Sequence, residues 1–555
     1  MSLDGFLTFL GLLAAALAVM SPVARLQLRM AAVRLVVFSV LLFGCILYLE
    51  FFDLVGLSCP DLVSGLCPVV DKAGPVTPQQ AAFLAVITWL AVLAHAWLRP
   101  KVDLRTLPTL RRLVDRLVET RSHSDLIDLF EHHLGFIDAC ASGNLPFQLR
   151  RTGLVGEYAS LGFAVPNGLP DYLFGEVEEQ APPTRFQRLC VMISGLPGRA
   201  KRLIGSCLPE RAWARSTATG VLNTVLRNPR VVEFISEYRP RFGARLLQLQ
   251  SRSVTDFADD FLDWQIGHRE SSLYTEIREL DGPREVAHAL SEDSPVLRAL
   301  FADAEVAYRL APYQPVGERI IALLNPVNGA EYPTQLNKAH DRNWDDHGRW
   351  NDPLFVGVRF FDVMVRAAAR DGVEWHMWLY YMTHIAESVE EIYDESEGDQ
   401  DREFPTRAGA LLDDIVETLT DWISIANRVH EGSPHRIPHD DRLDAENGNI
   451  PKSAAIALGQ CLNRLLLSDR ITDRVKSAFV RSAIGAIEDL PRAVGESGRL
   501  RRVTIASIVT GGGLSREAEY RERLAELVEE VDRFRLAGLD DFTDALSATR
   551  GSGRS

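Results

Sequence analysis

Residues 351–372, NDPLFVGVRFFDVMVRAAARDG, read as one complete α-helix with both of its ends marked. Asn351-Asp352-Pro353 supplies a capping side chain and then proline, whose missing N–H is no loss in a first helical turn. Gly372 provides the left-handed residue on which a helix stops. Between those signals Arg359, Asp362, Arg366 and Arg370 form one polar stripe on an otherwise apolar helix. A second helix follows, with Trp375, Trp378, Leu379, Met382, Ala386, Val389 and Tyr393 as its core stripe. Its opposite face carries His376, Tyr380, His384, Glu387 and Glu391.

The same helical period extends in both directions. Towards the N-terminus it covers 253–266 and 295–324, the latter broken into two by Pro312 and Pro315. Further back, Leu107, Leu110, Leu113, Val114, Leu117 and Val118 recur at three- and four-residue steps. Ser122 or Ser124 then caps a helix through Leu126, Ile127, Leu129 and Phe130. Residues 325–352 and the acidic run 394–403 read as polar loops. Towards the C-terminus a helix over 407–429 leads into a proline-rich loop, 431–452, which reads as a linker. Val503–Val509 fits either a strand or a helix stopped by Gly511-Gly512-Gly513, with a charged helix at 514–537 beyond. The tail after Ala548 reads as disordered.

The first hundred residues differ in kind. Segments 5–24, 35–57 and 76–98 each offer roughly the 20 apolar positions a helix needs to cross a bilayer. Arg25, Arg29 and Arg34 lie between the first two, and Arg99, Lys101, Arg105, Arg111 and Arg112 follow the third. The loop 58–75 has one cation, Lys72. Positive flanks stay in the cytoplasm, so the N-terminus and 58–75 are expected outside and everything after 99 inside. No span carries Asp, Glu, Lys or Arg at mid-depth, which counts against an ion pathway. Cys59 and Cys67 share the outer loop, where an oxidising compartment favours a disulfide; two separate thiols are the alternative.

The expected architecture is therefore a membrane protein of the all-α class. Three N-terminal transmembrane helices (1–98) precede a cytoplasmic helical domain (99–430), the linker, and a C-terminal helical subdomain (453–555). A region of this size exceeds one core, so two lobes or an irregular superhelix of hairpins are expected. The chain has 60 basic and 75 acidic residues, a net of −15, of which −14 falls after residue 98. That balance argues against nucleic-acid binding. Only 6 of the 60 basic residues are lysine, a bias we assign to a GC-rich bacterial gene.

One segment runs against the acidic balance. Between 185 and 230 nine basic residues, among them Arg199, Lys201, Arg202, Arg211 and Arg215, stand against the single acid Glu210. Such a segment suits contact with the anionic inner leaflet, with an anion, or with acidic surfaces of the same protein. Gly195 to Lys201 lacks the Gly-Lys-Ser/Thr of a phosphate loop.

Seven of the 13 histidines lie between 340 and 439. His340, Asp341, Asp346 and His347, with His376 or His384 from the neighbouring helix, could form a metal shell that generates hydroxide. The spacing matches neither a zincin nor a di-iron motif, and no cofactor is indicated. No nucleophile elbow, Cys-x-x-Cys pair, kinase signature or dinucleotide fingerprint is present. The leading expectation is a membrane-tethered interaction or sensing module that recruits a cytoplasmic protein to the inner membrane of a bacterium. A metal-dependent hydrolase using 340–391 is the first alternative. An oligomeric pore or membrane-disrupting effector, which would need several copies in the lipid bilayer, is the second.

Overall fold

The computed structural model describes residues 106–142, 211–280, 290–325, 331–374, 378–443, 448–492, 494–513, 517–530 and 538–548, with isolated positions elsewhere, including 37–41 and 87–92. All described regular structure is helical, as the periodicity predicts. The first apolar segment falls wholly outside the described residues, as do Cys59 and Cys67, and the second and third fall mostly outside them. Among the described residues no helix is long and apolar enough to cross a membrane.

The chain divides into two compact units, 1–231 and 232–555. In the first, helices α1 (Leu107–Glu119), α2 (His123–Ala141) and α3 (Arg211–Leu226) pack pairwise. The leucine stripe of α1 is buried as expected, against Leu126, Phe130 and Ile137 of α2 and Val221, Leu222 and Val225 of α3 in the same core. The chain turns from α1 to α2 through Arg121, which has a positive φ of 56°.

The second unit begins inside α4 (Pro229–Tyr238). It continues with α5 (Pro240–Leu247), α6 (Ser253–Gly267), α7 (Ser272–Glu279), α8 (Pro295–Phe301), α9 (Ala304–Leu310) and α10 (Tyr313–Leu324). The stretch 295–324 thus makes three helices rather than two. Asp303 accepts from the Glu305 N–H at 3.0 Å and starts α9, and Ala311 ends it in a left-handed conformation. Residues 325–352, expected as loop, contain α11 (Glu331–Leu336), α12 (Arg342–Asp346) and a 3-10 turn, Gly348–Asn351.

Helix α13 (Pro353–Asp371) starts and stops on the residues that predict it. The Asp352 carboxylate accepts from the Leu354 N–H, and Gly372 follows with φ 75°. Every residue from Pro353 to Ala369 is buried, so Arg359, Asp362 and Arg366 of its polar stripe lie inside the unit rather than along a wet face, and only Arg370 is partly exposed. The stripe is neutralised internally. Arg359 and Arg366 each reach Asp362 at 2.8 Å, the Trp422 indole N–H donates to Asp362 at 2.9 Å, and Arg366 also meets Asp421.

Helices α14 (Trp378–Ile392) and α15 (Arg407–Ser424) follow, and both pack on α16 (Ile450–Leu466). The stretch 431–452 therefore joins helices of one compact unit, and Ser433, His435, Asn449 and Lys452 within it are buried. Around α16 stand α17 (Asp473–Glu488), α18 (Arg499–Thr510) and α19 (Glu517–Glu529), with α20 (Asp540–Ala548) against α18. The Val503–Val509 run is helix, ended by three successive left-handed glycines, Gly511 to Gly513. That turn sits hard against α16. A Cβ on Gly459 would come within 2.4 Å of the Ser507 carbonyl oxygen and 2.6 Å of the Gly512 nitrogen.

Candidate functional site

Four pieces of the second unit meet around an open cavity of about 280 Å³: α12, the connection 394–406, the start of α13 and one face of α15. Asp341 begins α12 by accepting from the Trp344 N–H at 2.8 Å. That cap orients the single turn so that Trp344 and Asp345 face the cavity. Phe355 comes from α13 and meets Trp344 edge to face, with ring centroids 5.0 Å apart. On α15, Thr406 accepts from the Gly409 N–H. Ala410, Asp413 and Asp414 then fall on one face, three and four residues apart, and line the cavity.

The acidic run 394–403, expected as a solvated loop, is held at many points and forms one wall. Ala339 N–H donates to the Glu397 carbonyl at 3.3 Å, and Arg407 N–H to the Lys338 carbonyl at 3.1 Å. Glu403 pairs with Arg481, and the Arg474 guanidinium donates to the Gln400 carbonyl. Phe404 stacks on Phe479 at 5.8 Å.

The centre of the wall is His340. Its Nδ1 lies 2.5 Å from an Asp345 oxygen and 2.9 Å from Arg402, and its Nε2 lies 2.9 Å from the Phe404 carbonyl. Both ring nitrogens are thus engaged by the protein, and neither presents a lone pair to a metal ion. Arg402 donates to the second Asp345 oxygen at 2.7 Å. Burial pushes the Asp345 carboxyl up, but hydrogen bonds from Arg402 and His340 outweigh it and hold it below its ordinary value.

The other described residues singled out in the sequence do not converge on this point as a metal shell. Asp341 is spent on its cap. Exposed Asp346 faces Arg342 at 3.7 Å, and His347 is exposed at the end of α12. His384 lies 3.8 Å from Glu387 on its own helix, and His376 is outside the described residues. Among the described residues no group of three or more His, Cys, Asp or Glu side chains could hold a metal ion. In the basic segment, Arg215 donates to the Ala141 carbonyl at 3.2 Å and so covers the C-terminus of α2, an internal use. Arg199, Lys201 and Arg202 and the side chain of Arg211 lie outside the description.

The cavity residues that the sequence did not single out include Trp344, Arg349, Phe355, Arg402, Phe404, Asp413 and Asp414. One signal was available: Asp413-Asp414 interrupts the apolar pattern of α15. Four carboxylates (Asp345, Glu403, Asp413, Asp414) and two guanidiniums (Arg349, Arg402) line the space between three aromatic rings. With His340 and Asp345 tied to their neighbours, the arrangement suits recognition of charge and shape better than proton transfer. No protein-family model, curated protein or solved structure matches the chain.

Proposed function

We propose that this chain is a membrane-tethered helical recognition module, held in the bacterial inner membrane by residues 1–98, that brings a cytoplasmic protein to the inner face. The observation that carries the reading is the surface of the described parts of the second and third apolar segments. Residues 37–41 and 87–92 are helical, and the Trp89 indole N–H donates to Ser39 at 2.8 Å between them. Val37, Val40 and Leu41 on the first of these turns, and Leu84 ahead of the second, are 55–67% exposed, an apolar surface that water does not favour. A bilayer covers such a surface, and the arginine flanks give its orientation.

Recognition rather than catalysis is supported by the cavity of the second unit, whose histidine and nearest carboxylate are bound up in a fixed network. The reading is tested by topology. A reporter that needs export should be active when fused within 58–75 and silent when fused after Ser547. The chain should also resist alkaline extraction from membranes. At least one cytoplasmic protein should shift to the membrane fraction when the full chain is expressed. Alkaline release of the chain, reversed reporters, or an unchanged membrane proteome would each defeat the proposal.

A further inference from the structure

We propose that the turn joining α1 to α2, where Arg121 and Arg230 flank His123, binds the phosphate headgroups of anionic lipid in the inner leaflet. This rests on the tethered reading above and adds a second contact with the bilayer, made by the first unit itself.

Charge is the first argument. Residues 99–231, from the end of the third apolar segment to the end of the first unit, hold 18 basic against 13 acidic residues, whereas 232–555 hold 38 against 57. The part of the chain that leaves the membrane first is thus the basic part, opposite in sign to the leaflet. Chain length is the second. Eight residues separate the end of that segment at 98 from Leu107, where α1 starts. At most about 30 Å of extended backbone therefore lies between the bilayer and α1. The acidic remainder repels a polyanion arriving from solution, while the tether supplies lipid without a diffusional step.

The third argument is where the cations gather. Along α1 the charges nearly balance, with Arg111, Arg112 and Arg116 against Asp115 and Glu119. At the turn they do not. His123 is held below its ordinary pKa by partial burial and then by the charges of Arg121 and Arg230, which places both guanidiniums near one ring. Glu119 and Asp125, the carboxylates nearest in sequence, are not among the groups that act on it. Arg121 and Arg230 are exposed, and among the described residues neither guanidinium forms an ion pair or a hydrogen bond. Like charges held together without a counter-charge repel, and an anion between them removes the repulsion. Arg121 also sits at φ 56°, a conformation that glycine adopts freely and a residue with a Cβ adopts at a cost. Arg121→Gly thus removes the charge while suiting the backbone.

The test is amide hydrogen exchange of the full chain in lipid nanodiscs, with the difference between neutral phosphatidylcholine and discs containing phosphatidylglycerol taken within each protein. Exchange around 119–124 and 228–231 should slow at least about fivefold in the anionic discs, the effect of one arginine at such a surface. Raising the salt should abolish the difference. Arg121→Gly/Arg230→Gln should lose it, and Arg241→Gln, an exposed arginine of the second unit, should keep it. Equal exchange in the two lipids, or a difference that survives in Arg121→Gly/Arg230→Gln, would overturn the proposal. Equal slowing in neutral discs by inorganic phosphate alone would assign the turn to a free anion, and by a short RNA to nucleic acid; either would overturn the lipid assignment. The lipid comparison on the unaltered chain decides even if the double variant does not fold. Export reporters and alkaline resistance that behave as expected beside equal exchange would leave the tether standing and remove only this inference.

Discussion

Residue chemistry decides most where the side chain is polar and out of water. His435 is completely buried, and its Nδ1 accepts from the Ile450 N–H at the start of α16. Burial lowers its pKa from 6.5 to about 4. The folded state therefore holds the ring neutral, and its contribution is full above pH 6.5 and disappears as the pH falls through 4. At about 1.4 kcal/mol per pKa unit, that is roughly 3 kcal/mol. Glu276 works in the opposite sense: burial raises its carboxyl to about 7, although the Val296 and Leu297 N–H groups donate to it. Its contribution is full below its unfolded pKa and is lost as the pH rises towards 7. Denaturation midpoints measured from pH 7 to 4 should separate the two. His435→Asn should be less stable at neutral pH but should lose less stability than the unaltered chain on acidification. Parallel curves for the two proteins would mean that His435 does not titrate on unfolding. The Arg359–Asp362–Arg366 cluster belongs to the same scale. Its geometry is plain, but a polar stripe at three- and four-residue spacing is as suited to water as to a buried network until a second helix, α15, covers it.

At the scale of elements, local signals name helices well and lengths less well. Asp352-Pro353 and Gly372 set the ends of α13 because capping and left-handed backbone are local events. The three-way break of 295–324 was missed because its cause is an aspartate cap and a left-handed alanine, not proline. The glycines of α16 and α17 show how context decides cost. Gly459→Val should destabilise by about 1–3 kcal/mol or more, since its Cβ collides with the backbone of α18. Gly485 in α17 has nothing within 4 Å of a new Cβ, so Gly485→Ala should be neutral or stabilising by up to about 1 kcal/mol. Thermal midpoints of both variants check this, and equal shifts would contradict the close contact.

For the whole molecule, the two compact units each carry a core, so unfolding should not be a single two-state event. Scanning calorimetry of the full chain should resolve at least two transitions. Gly459→Val should move only the one belonging to 232–555, and a single transition shifting as a whole would refute independent units. The linker expected at 431–452 shows why domain boundaries are hard to read. Proline and glycine mark a turn of chain, but whether the helices on either side share a core depends on partners distant in sequence, here α15 and α16.

What the amino-acid order determined alone is what depends on neighbours within a few residues: an all-helical chain, the caps of α13, and three apolar segments with a consistent charge orientation. The cavity is of the other kind. His340 meets Arg402 and Phe404 more than sixty residues away, and α15 brings Asp413 and Asp414 to the same space. A histidine offered to a metal and one locked between an aspartate, an arginine and a carbonyl have the same local sequence. Only the packing of distant helices decides which lone pairs remain open and which charges face each other.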